Sequence, residues 1–283
     1  MPDARSKSAR APGIPEIGGR GPGLPVAYRG PVSVSPGWPV YVCLAILLAV
    51  TVVANRVSGI GLERQSALAG ARAVVQLSLV ALVITAVVGS LWWSFLAVGA
   101  MFATAVATTS KRVGAPRTWP WAAAAMACGV VPVVAIVLAT GSVPLTGIAV
   151  IPVAGIVIGK TMTVHTLVGR RTFAALREEH GQYEASLSLG LTSSQAIDEI
   201  IARRVPEGIV PSLDQVRTSG IVTLPGAFIG VMLGGGSAVQ AATAQVLVLF
   251  AIMATQSITA GVQAALIRRR LLLPDDLGLA LVS

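Results

Sequence analysis

The chain has 283 residues, of which 54% are hydrophobic and 12% are charged, and its mean hydropathy is +0.78. Soluble domains carry about 25% charged residues, so this composition places the chain in the membrane class. The net charge of +9 does not indicate nucleic-acid binding, because the basic residues are scattered between apolar runs. Two cysteines, Cys43 and Cys128, lie inside such runs and predict neither a disulfide framework nor a zinc cluster.

Long uncharged runs predict helices that span a bilayer, since a span needs about 20 apolar residues. Alternating strands of the barrel type are absent, and helices satisfy every backbone hydrogen bond within lipid. We therefore predict an all-α integral membrane protein with about seven transmembrane helices and a cytoplasmic helical loop. The spans are expected at about 38–55, from near Ser66, and at about 91–110, 119–140, 145–168, 219–235 and 239–267.

Basic residues orient these spans. Of the 21 Lys and Arg residues, 14 lie in alternate regions, namely 56–66, 110–118, 169–218 and the C-terminal end, while the loops near 89, 141 and 236 have none. The positive-inside rule predicts that the four basic regions are cytoplasmic. One feature opposes this, because residues 1–37 carry five basic residues and seven spans place them outside. Either the internal loops dominate the orientation, or the real start lies downstream of Met1, or one span is misplaced.

Three regions follow from this pattern. Residues 1–37 are rich in Pro, Gly, Ser and Arg and are predicted to be a disordered tail. Residues 38–268 form the transmembrane domain, which contains the cytoplasmic loop 169–218. Residues 269–283 form a cytoplasmic C-terminal tail.

The loop is the polar part of the body, since seven of the twelve acidic residues lie between 170 and 217. Thr192 and Gln195 match a T-x-x-Q capping box, which predicts the start of a helix. Pro206 and Gly208 predict its end. An amphipathic helix extending the fifth span is expected before Gly190, so the loop is predicted to be a helix–turn–helix at the membrane surface. The apolar stripe of the second helix consists of Ala196, Ile197, Ile200 and Ile201.

A short motif in this loop suggests its role. The order E-A-S-x-x-x-G, with an isoleucine ten residues after the glycine, resembles the coupling loop of importer permeases of the ATP-binding-cassette (ABC) class. In such proteins a short cytoplasmic helix sits in a groove of an ATPase subunit. An ordinary surface hairpin is the alternative, since short motifs are weak signals. The predicted coupling residues are Glu184, Ala185, Ser186, Gly190 and Ile200.

Polar side chains within the spans are candidates for the transport pathway or its gate. Arg72 and Gln76 are four residues apart and share one helix face, although Arg72 could snorkel to the surface. Lys160 is deeper and has no intramembrane carboxylate as a partner, so it is expected to be neutral, to face water or to attract an anion. Gln245 belongs to a set of glutamines on one face of the last span. With two histidines in the chain, a His-rich metal site is excluded, and a metal site is otherwise not predicted.

Small residues predict close helix packing. Gly155 and Gly159 form a G-x-x-x-G pair in the fifth span. Pro225 is expected to start or kink the sixth span. The packing glycines of that span are Gly226, Gly230 and Gly234, with a gate hinge as the alternative.

Motifs for nucleotide binding and catalysis are missing. The stretch GIVIGKT has its first glycine one residue too close to match a phosphate-binding loop, and it lies in a predicted span. The chain is therefore not expected to be an enzyme or to bind a cofactor, and ATP with Mg²⁺ would be held by a partner subunit.

Four stretches of the chain carry a family resemblance. They are GARAVVQLSLVALVI (70–84), IPVAGIVIGKTM (151–162), EASLSLGLTSSQA (184–196) and the long stretch 209–245. In order and spacing they resemble the permeases of iron-export ABC transporters, whose relatives include plant aluminium-tolerance membrane proteins. The resemblance covers about 60–270 and implies a plasma-membrane permease that pairs with a separate cytoplasmic ATPase, as a homodimer in the lipid bilayer, and that exports a metal ion or another small solute.

The chain departs from the family pattern at three places. The family reads Gly-Asn at Gly159-Lys160, Met-Met at Ala227-Phe228, and Tyr-Gln at Ala244-Gln245. The chain therefore lacks the two methionine sulfur atoms of the family pattern, and Lys160 adds a positive charge. A stand-alone secondary transporter is the main alternative, but the predicted spans contain no Asp or Glu for ion coupling. A heptahelical receptor or retinal protein and an intramembrane enzyme fit less well, because aromatic residues are 5% of the chain and no paired catalytic groups occur.

Overall fold

The computed structural model describes residues 37–87 and 89–281. Within these residues the chain is helical, and the β-type pairing is an isolated bridge between Ser219 and Thr223. The predicted all-α class is confirmed. The helices are α1 Trp38–Val57, α2 Glu63–Val87, α3 Leu91–Arg112, α4 Trp119–Ala139, α5 Gly147–Glu178, α6 His180–Ser188, α7 Ser193–Ile201, α8 Val205–Thr218, α9 Gly226–Leu233, α10 Ala238–Arg268 and α11 Asp275–Ala280, with a 3₁₀ turn at Pro116–Thr118.

Six of the described helices are long and apolar enough to cross a membrane, namely α1, α2, α3, α4, α5 and α10. The chain is therefore a multi-pass membrane protein, as predicted. Residues 1–36 of the predicted tail and residues 282–283 lie outside the described residues.

The helices α3, α5 and α10 run in the same direction. Met101 of α3 lies against Gly155 of α5, and further along Thr109 contacts His165. On the other side, Gln256 and Gln263 of α10 donate to the carbonyl oxygens of Lys160 and His165 respectively. In each pair of helices, the residue numbers of the contacting residues increase in the same direction, so the helices are parallel.

The core lies where α4 and α10 meet α5. Met126 and Ala125 of α4 are fully buried, as are Ala260 and Ile267 of α10. In contrast, α1 has no buried side chain, and no described side chain of α2 is buried. The first two helices therefore lie at the edge of the single chain, where their apolar surface faces lipid or another protein.

The predicted sixth span differs from the structure. Residues 219–235 contain the eight-residue helix α9, which is too short to cross a bilayer, preceded by the irregular segment 219–225. The crossing starts earlier, in α8, which runs antiparallel to α5. Glu207 near its start pairs with Arg171, and Gln215 near its end reaches Lys160.

A discontinuous crossing follows from these contacts. The helix α10 begins at Ala238, 18 residues or about 27 Å before Gln256, which is level with Lys160. Thus α10 starts at the opposite end of the bundle from the start of α8. Within residues 37–87 and 89–281 the chain therefore changes ends through α8, the segment 219–225 and α9. This broken segment comes in addition to the six long helices. The residues predicted to end α7 were wrong, because α7 ends at Ile201 and both Pro206 and Gly208 lie inside α8. Pro206 occupies the first turn of α8, where proline is tolerated.

Candidate functional site

The helices α6 and α7 form a hairpin at the predicted cytoplasmic end, which we call the α6–α7 hairpin (180–201). Gly190 has φ +89, a conformation that favours glycine, and its amide closes the end of α6 on Leu187. The predicted capping box is confirmed, since Thr192 Oγ1 accepts from the amide of Gln195 and Gln195 Oε1 accepts from the amide of Thr192. Local chemistry therefore fixes the turn.

Apolar burial holds the hairpin against the bundle. The whole predicted stripe of α7 is fully buried, and it packs with Phe173 and Leu176 of α5 in the main core. Burying one isoleucine contributes roughly 1.5–3 kcal/mol, so the three isoleucines of the stripe dominate the docking of the hairpin. The hairpin is thus a continuation of the core and does not stand free of it. The stripe is Ala196, Ile197, Ile200 and Ile201.

Polar contacts connect the hairpin to both α10 and the C-terminal segment. Arg268 at the end of α10 donates to Asp198 Oδ1 over 2.7 Å. The buried Tyr183 hydroxyl donates to the carbonyl oxygen of Leu281 over 2.9 Å and contacts Ser193 Oγ. These bonds join elements that are far apart in sequence, so the hairpin is bonded directly to the end of α10 and to the C-terminal segment.

Two charged contacts support the same region. Arg204 donates to Glu179 over 2.8 Å and to Glu207 over 3.2 Å, and these carboxylates raise the pKa of Arg204 above its usual value. Arg177 of α5 forms a two-bond contact with Asp276 of α11, at 2.7 and 3.1 Å. This hydrogen bonding lowers the pKa of Asp276 below its ordinary value of 3.8.

The predicted coupling residues divide into two groups. Glu184, Ala185 and Gly190 are exposed, whereas Ser186 and Ile200 are buried. The buried pair can only support the hairpin, so a partner would contact the exposed group. The most exposed large hydrophobic side chain at the turn was not among the predicted residues. It is Leu189, 81% exposed beside Gly190, and its apolar character at a polar turn was the available signal.

Lys160 lies on α5 about 20 Å from Gly147 by helical rise. Its ammonium donates to Gln215 Oε1 of α8 over 2.7 Å. The described partner of this cation is therefore a neutral amide. The side chain is partly buried, and a Cβ added at Gly159 beside it would meet nothing within 4 Å.

A polar seam lies inside the bundle between α3, α5 and α10. His165 is fully buried, with Nδ1 3.0 Å from Thr109 Oγ1, and Gln263 Nε2 donates to its carbonyl oxygen over 3.0 Å. The side-chain oxygens of Gln256 and Gln263 and the Nε2 atom of His165 are buried without a protein partner. Gln245, which lies on α10 as Gln256 and Gln263 do, is also buried. The seam joins the three parallel helices by hydrogen bonds, and His165 is a buried core residue within it.

The other predicted residues occupy separate places. Arg72 and Gln76 lie on the exposed surface of α2, whose main neighbours are α1 and α3.

Gly155 is in close contact with α3, because an added Cβ would lie 2.8 Å from Met101 Cε. Gly226 and Gly230 of α9 face open space, Gly234 ends that helix, and Pro225 starts it in an extended conformation. The packing partner expected for the α9 glycines is therefore not supplied by the described part of this chain.

No group of three or more His, Cys, Asp or Glu side chains that could hold a metal ion occurs in residues 37–87 and 89–281. A groove of about 450 Å³ lies between α3 and α4 and is lined mainly by apolar side chains, including Phe102, Val106 and Trp119. Lys160 does not line this groove, and Lys111 is the charged residue among its lining side chains. Neither feature identifies a metal site.

Comparison with known proteins identifies the family to which the sequence belongs. The uncharacterised protein family UPF0014 matches residues 39–272. The chain belongs to this family. This UPF0014 chain is 29% identical to the UPF0014 membrane protein STAR2 of Oryza sativa subsp. japonica over 221 residues, which cover 77% of this chain and 78% of STAR2. No solved structure matches it significantly.

Two further relatives support the assignment. The UPF0014 membrane protein slr1647 of Synechocystis is 30% identical over 224 residues, covering 75% of this chain and 85% of the relative. The protein named "Probable iron export permease protein FetB" of Escherichia coli K12 is 30% identical over 125 residues, covering 44% of this chain and 48% of FetB. The family resemblance noted from the motifs is thereby confirmed.

Proposed function

We propose that this UPF0014 chain is the membrane-spanning permease subunit of an ABC transporter in the plasma membrane. A separate cytoplasmic ATPase would bind ATP and Mg²⁺, and two permease copies would form the transporter. Its solute would be a metal ion such as iron or another small solute, moved outward. The name of FetB supports permease function and iron export for a relative.

The observation that carries this proposal is the anchored α6–α7 hairpin. A permease without a nucleotide site must receive mechanical work through a rigid contact. The hairpin offers an exposed turn at Leu189 and Gly190, while its other side is buried and bonded to α10 through Asp198. A push on the turn would therefore move α5 and α10 together, because the hairpin packs on the first and is bonded to the second.

The broken crossing supports the same mechanism. It directly follows the hairpin and consists of two short helices, α8 and α9, joined by an irregular segment. Such a segment can change its path through rotations at the break without unfolding a long helix. Movement of the hairpin would then shift α8 against α5 and open the pathway alternately to each side.

Copurification tests the proposal. The tagged full chain is expressed with each candidate ABC ATPase of the same genome and purified in detergent. We expect one ATPase to be retained, and we expect Leu189→Arg and Gly190→Arg to remove it. The matched control is Leu279→Arg on α11, since Leu279 is also highly exposed, at 78%, but lies outside the hairpin turn. Failure of the wild type to retain any ATPase, or equal loss in the control, would contradict the proposal.

A further inference from the structure

One face of the bundle places a lysine side chain beside a segment of non-helical backbone. It consists of Lys160, Gln215 and the segment 219–225, and we call it the Lys160 face. Gln215 is in the last turn of α8, and Ser219 follows it one turn later, with its hydroxyl bonded to the Gln215 carbonyl oxygen over 2.8 Å. The cation and the break are therefore adjacent.

The backbone between α8 and α9 is irregular. Residues 219–225 are not helical, although the amides of Ile221 and Val222 still donate to the carbonyl oxygen of Thr218. The apolar side chains of Ile221 and Val222 are 88% and 74% exposed. Irregular backbone at membrane depth occurs only where it is buried in protein or lines a water-filled space. Lys160 limits the choice between these two surroundings, because an ammonium in a dry protein interface requires a charge of opposite sign, and its described partner Gln215 is neutral.

The local charges do not cancel. Asp214, the acidic residue next to Gln215, is 3.3 Å from Arg217 and forms an ion pair with it. Among the described residues no carboxylate contacts Lys160, so these three charged side chains leave a net charge of +1. Open space lies beside them, since added Cβ atoms at Gly159 and Gly220 would meet nothing within 4 Å. The Lys160 face therefore has both the charge and the room to receive a negatively charged group.

We propose that the Lys160 face lines a water-filled part of the transport pathway, and that Lys160 binds the anionic group of the solute. That solute is a free anion or a metal complex whose ligands give it excess negative charge. The ammonium is a compact cation suited to carboxylate or phosphate oxygens, and Gln215 positions it through the hydrogen bond. This inference rests on the proposed transport function and narrows its solute, because a bare metal cation would be repelled here.

The test measures charge selection at the break. Ser219→Cys is introduced into the full chain after both native cysteines, Cys43 and Cys128, are replaced by alanine, and the protein is placed in phosphatidylcholine nanodiscs. Two water-soluble methanethiosulfonate reagents are compared, one bearing a sulfonate and one bearing a trimethylammonium group. We expect both to react and the sulfonate reagent to be favoured.

Variants assign the selection to the lysine. Lys160→Gln should lower the ratio of the sulfonate rate to the trimethylammonium rate by at least about fivefold, as expected when a full charge is removed within roughly 10 Å. Gln215→Glu, which neutralises the same cation and leaves Lys160 in place, should also lower it, and Lys160→Arg should retain it. Lys111→Gln, at the end of α3, is the matched control and should leave the ratio unchanged. An unchanged ratio in both Lys160→Gln and Gln215→Glu would overturn the assignment of anion binding.

The remaining outcomes concern water and lipid. If the thiol reacts with membrane-permeant N-ethylmaleimide but with neither charged reagent, the face is not hydrated and the proposal is wrong. An anionic lipid head group offers the same chemistry as an anionic solute, so inorganic phosphate and phosphatidylglycerol are tested separately. Slowing of the sulfonate reaction by phosphate supports a solute, whereas slowing by phosphatidylglycerol alone would overturn it. The labelling experiment contains no ATPase. Its failure would therefore overturn anion binding at Lys160 without counting against the permease assignment, which the copurification experiment tests separately.

Discussion

Asp198 of α7 and Arg268 of α10 are joined by a hydrogen bond of 2.7 Å across 70 residues of sequence. The bond connects the α6–α7 hairpin to the last turn of the helix that carries Gln256 and Gln263 into the polar seam. The hairpin therefore has a route to the membrane part of the bundle that does not depend on α5.

Removing this bond should loosen the hairpin without unfolding the protein. The two side chains are 37% and 43% exposed, so the pair is worth at most about 1 kcal/mol. We expect Asp198→Asn to increase the hydrogen exchange of α7 amides while the melting temperature changes little. The control is Asp214→Asn, which breaks an ion pair within α8 itself. Exchange in α7 that is the same in both variants would show that the bond does not hold the hairpin.

Close packing of α4 on α10 should depend on Gly129. A Cβ at this position would collide with Thr259 Oγ1 and would lie 2.6 Å from the carbonyl oxygen of Thr255. We expect Gly129→Ala to destabilise the protein by roughly 1–3 kcal/mol, measured by thermal unfolding in detergent. Gly261→Ala on α10 has no neighbour within 4 Å and should be neutral or stabilising by up to about 1 kcal/mol. Equal effects of the two variants would contradict this packing.

The hydroxyl of Tyr183 should hold the C-terminal segment on the hairpin. Tyr183→Phe removes the bond to the Leu281 carbonyl oxygen and leaves a buried acceptor without its partner, at a cost of about 1–3 kcal/mol. We expect faster cleavage by trypsin at Arg268–Arg270 in this variant. Tyr41→Phe, at an exposed position on α1, should leave the cleavage rate unchanged. A cleavage rate equal to that of wild type in Tyr183→Phe would show that the apolar contacts alone fix the segment.

Acid should release α11 from α5. Because Arg177 lowers the pKa of Asp276 in the folded protein, this contact stabilises the fold above the ordinary carboxyl pKa of 3.8 and is lost as the pH falls through the lowered value. We expect the exchange of α11 amides, corrected for the intrinsic effect of pH, to increase as the pH falls below about 4. Asp276→Asn should show increased exchange already at neutral pH and no further step, whereas Asp275→Asn should keep the step. A step that persists in Asp276→Asn would assign it to another group.

Local signals made the hairpin predictable from the sequence. The capping box of Thr192 and Gln195 and the stripe around Ile197 have fixed spacings that act within one or two helical turns. The buried position of His165 was not predictable, because it depends on Thr109 of α3 and Gln263 of α10, which lie 56 and 98 residues away. Hydropathy alone places such a histidine near the interface.

The broken crossing shows a different limit. The absence of charge in residues 219–235 predicts a span there, whereas the charged residues Glu207, Asp214 and Arg217 of α8 predict a cytoplasmic loop. In the structure these charges are satisfied in pairs, by Arg171 or within α8 itself, and α8 lies along α5. Hydropathy counts each charge as a cost and does not include its partner, so it misplaced the start of the crossing.

The measurement that tests the central claim most directly is a site-specific photo-crosslink in intact cells. A benzophenone amino acid is placed at Leu189, and a second variant carries it at Leu279, which is exposed to a similar extent. We predict that the Leu189 variant crosslinks to an ABC ATPase and that the Leu279 variant does not. Crosslinks from Leu189 to lipid or to unrelated proteins only, while the same ATPase copurifies with the chain, would show that the hairpin turn is not the site of coupling.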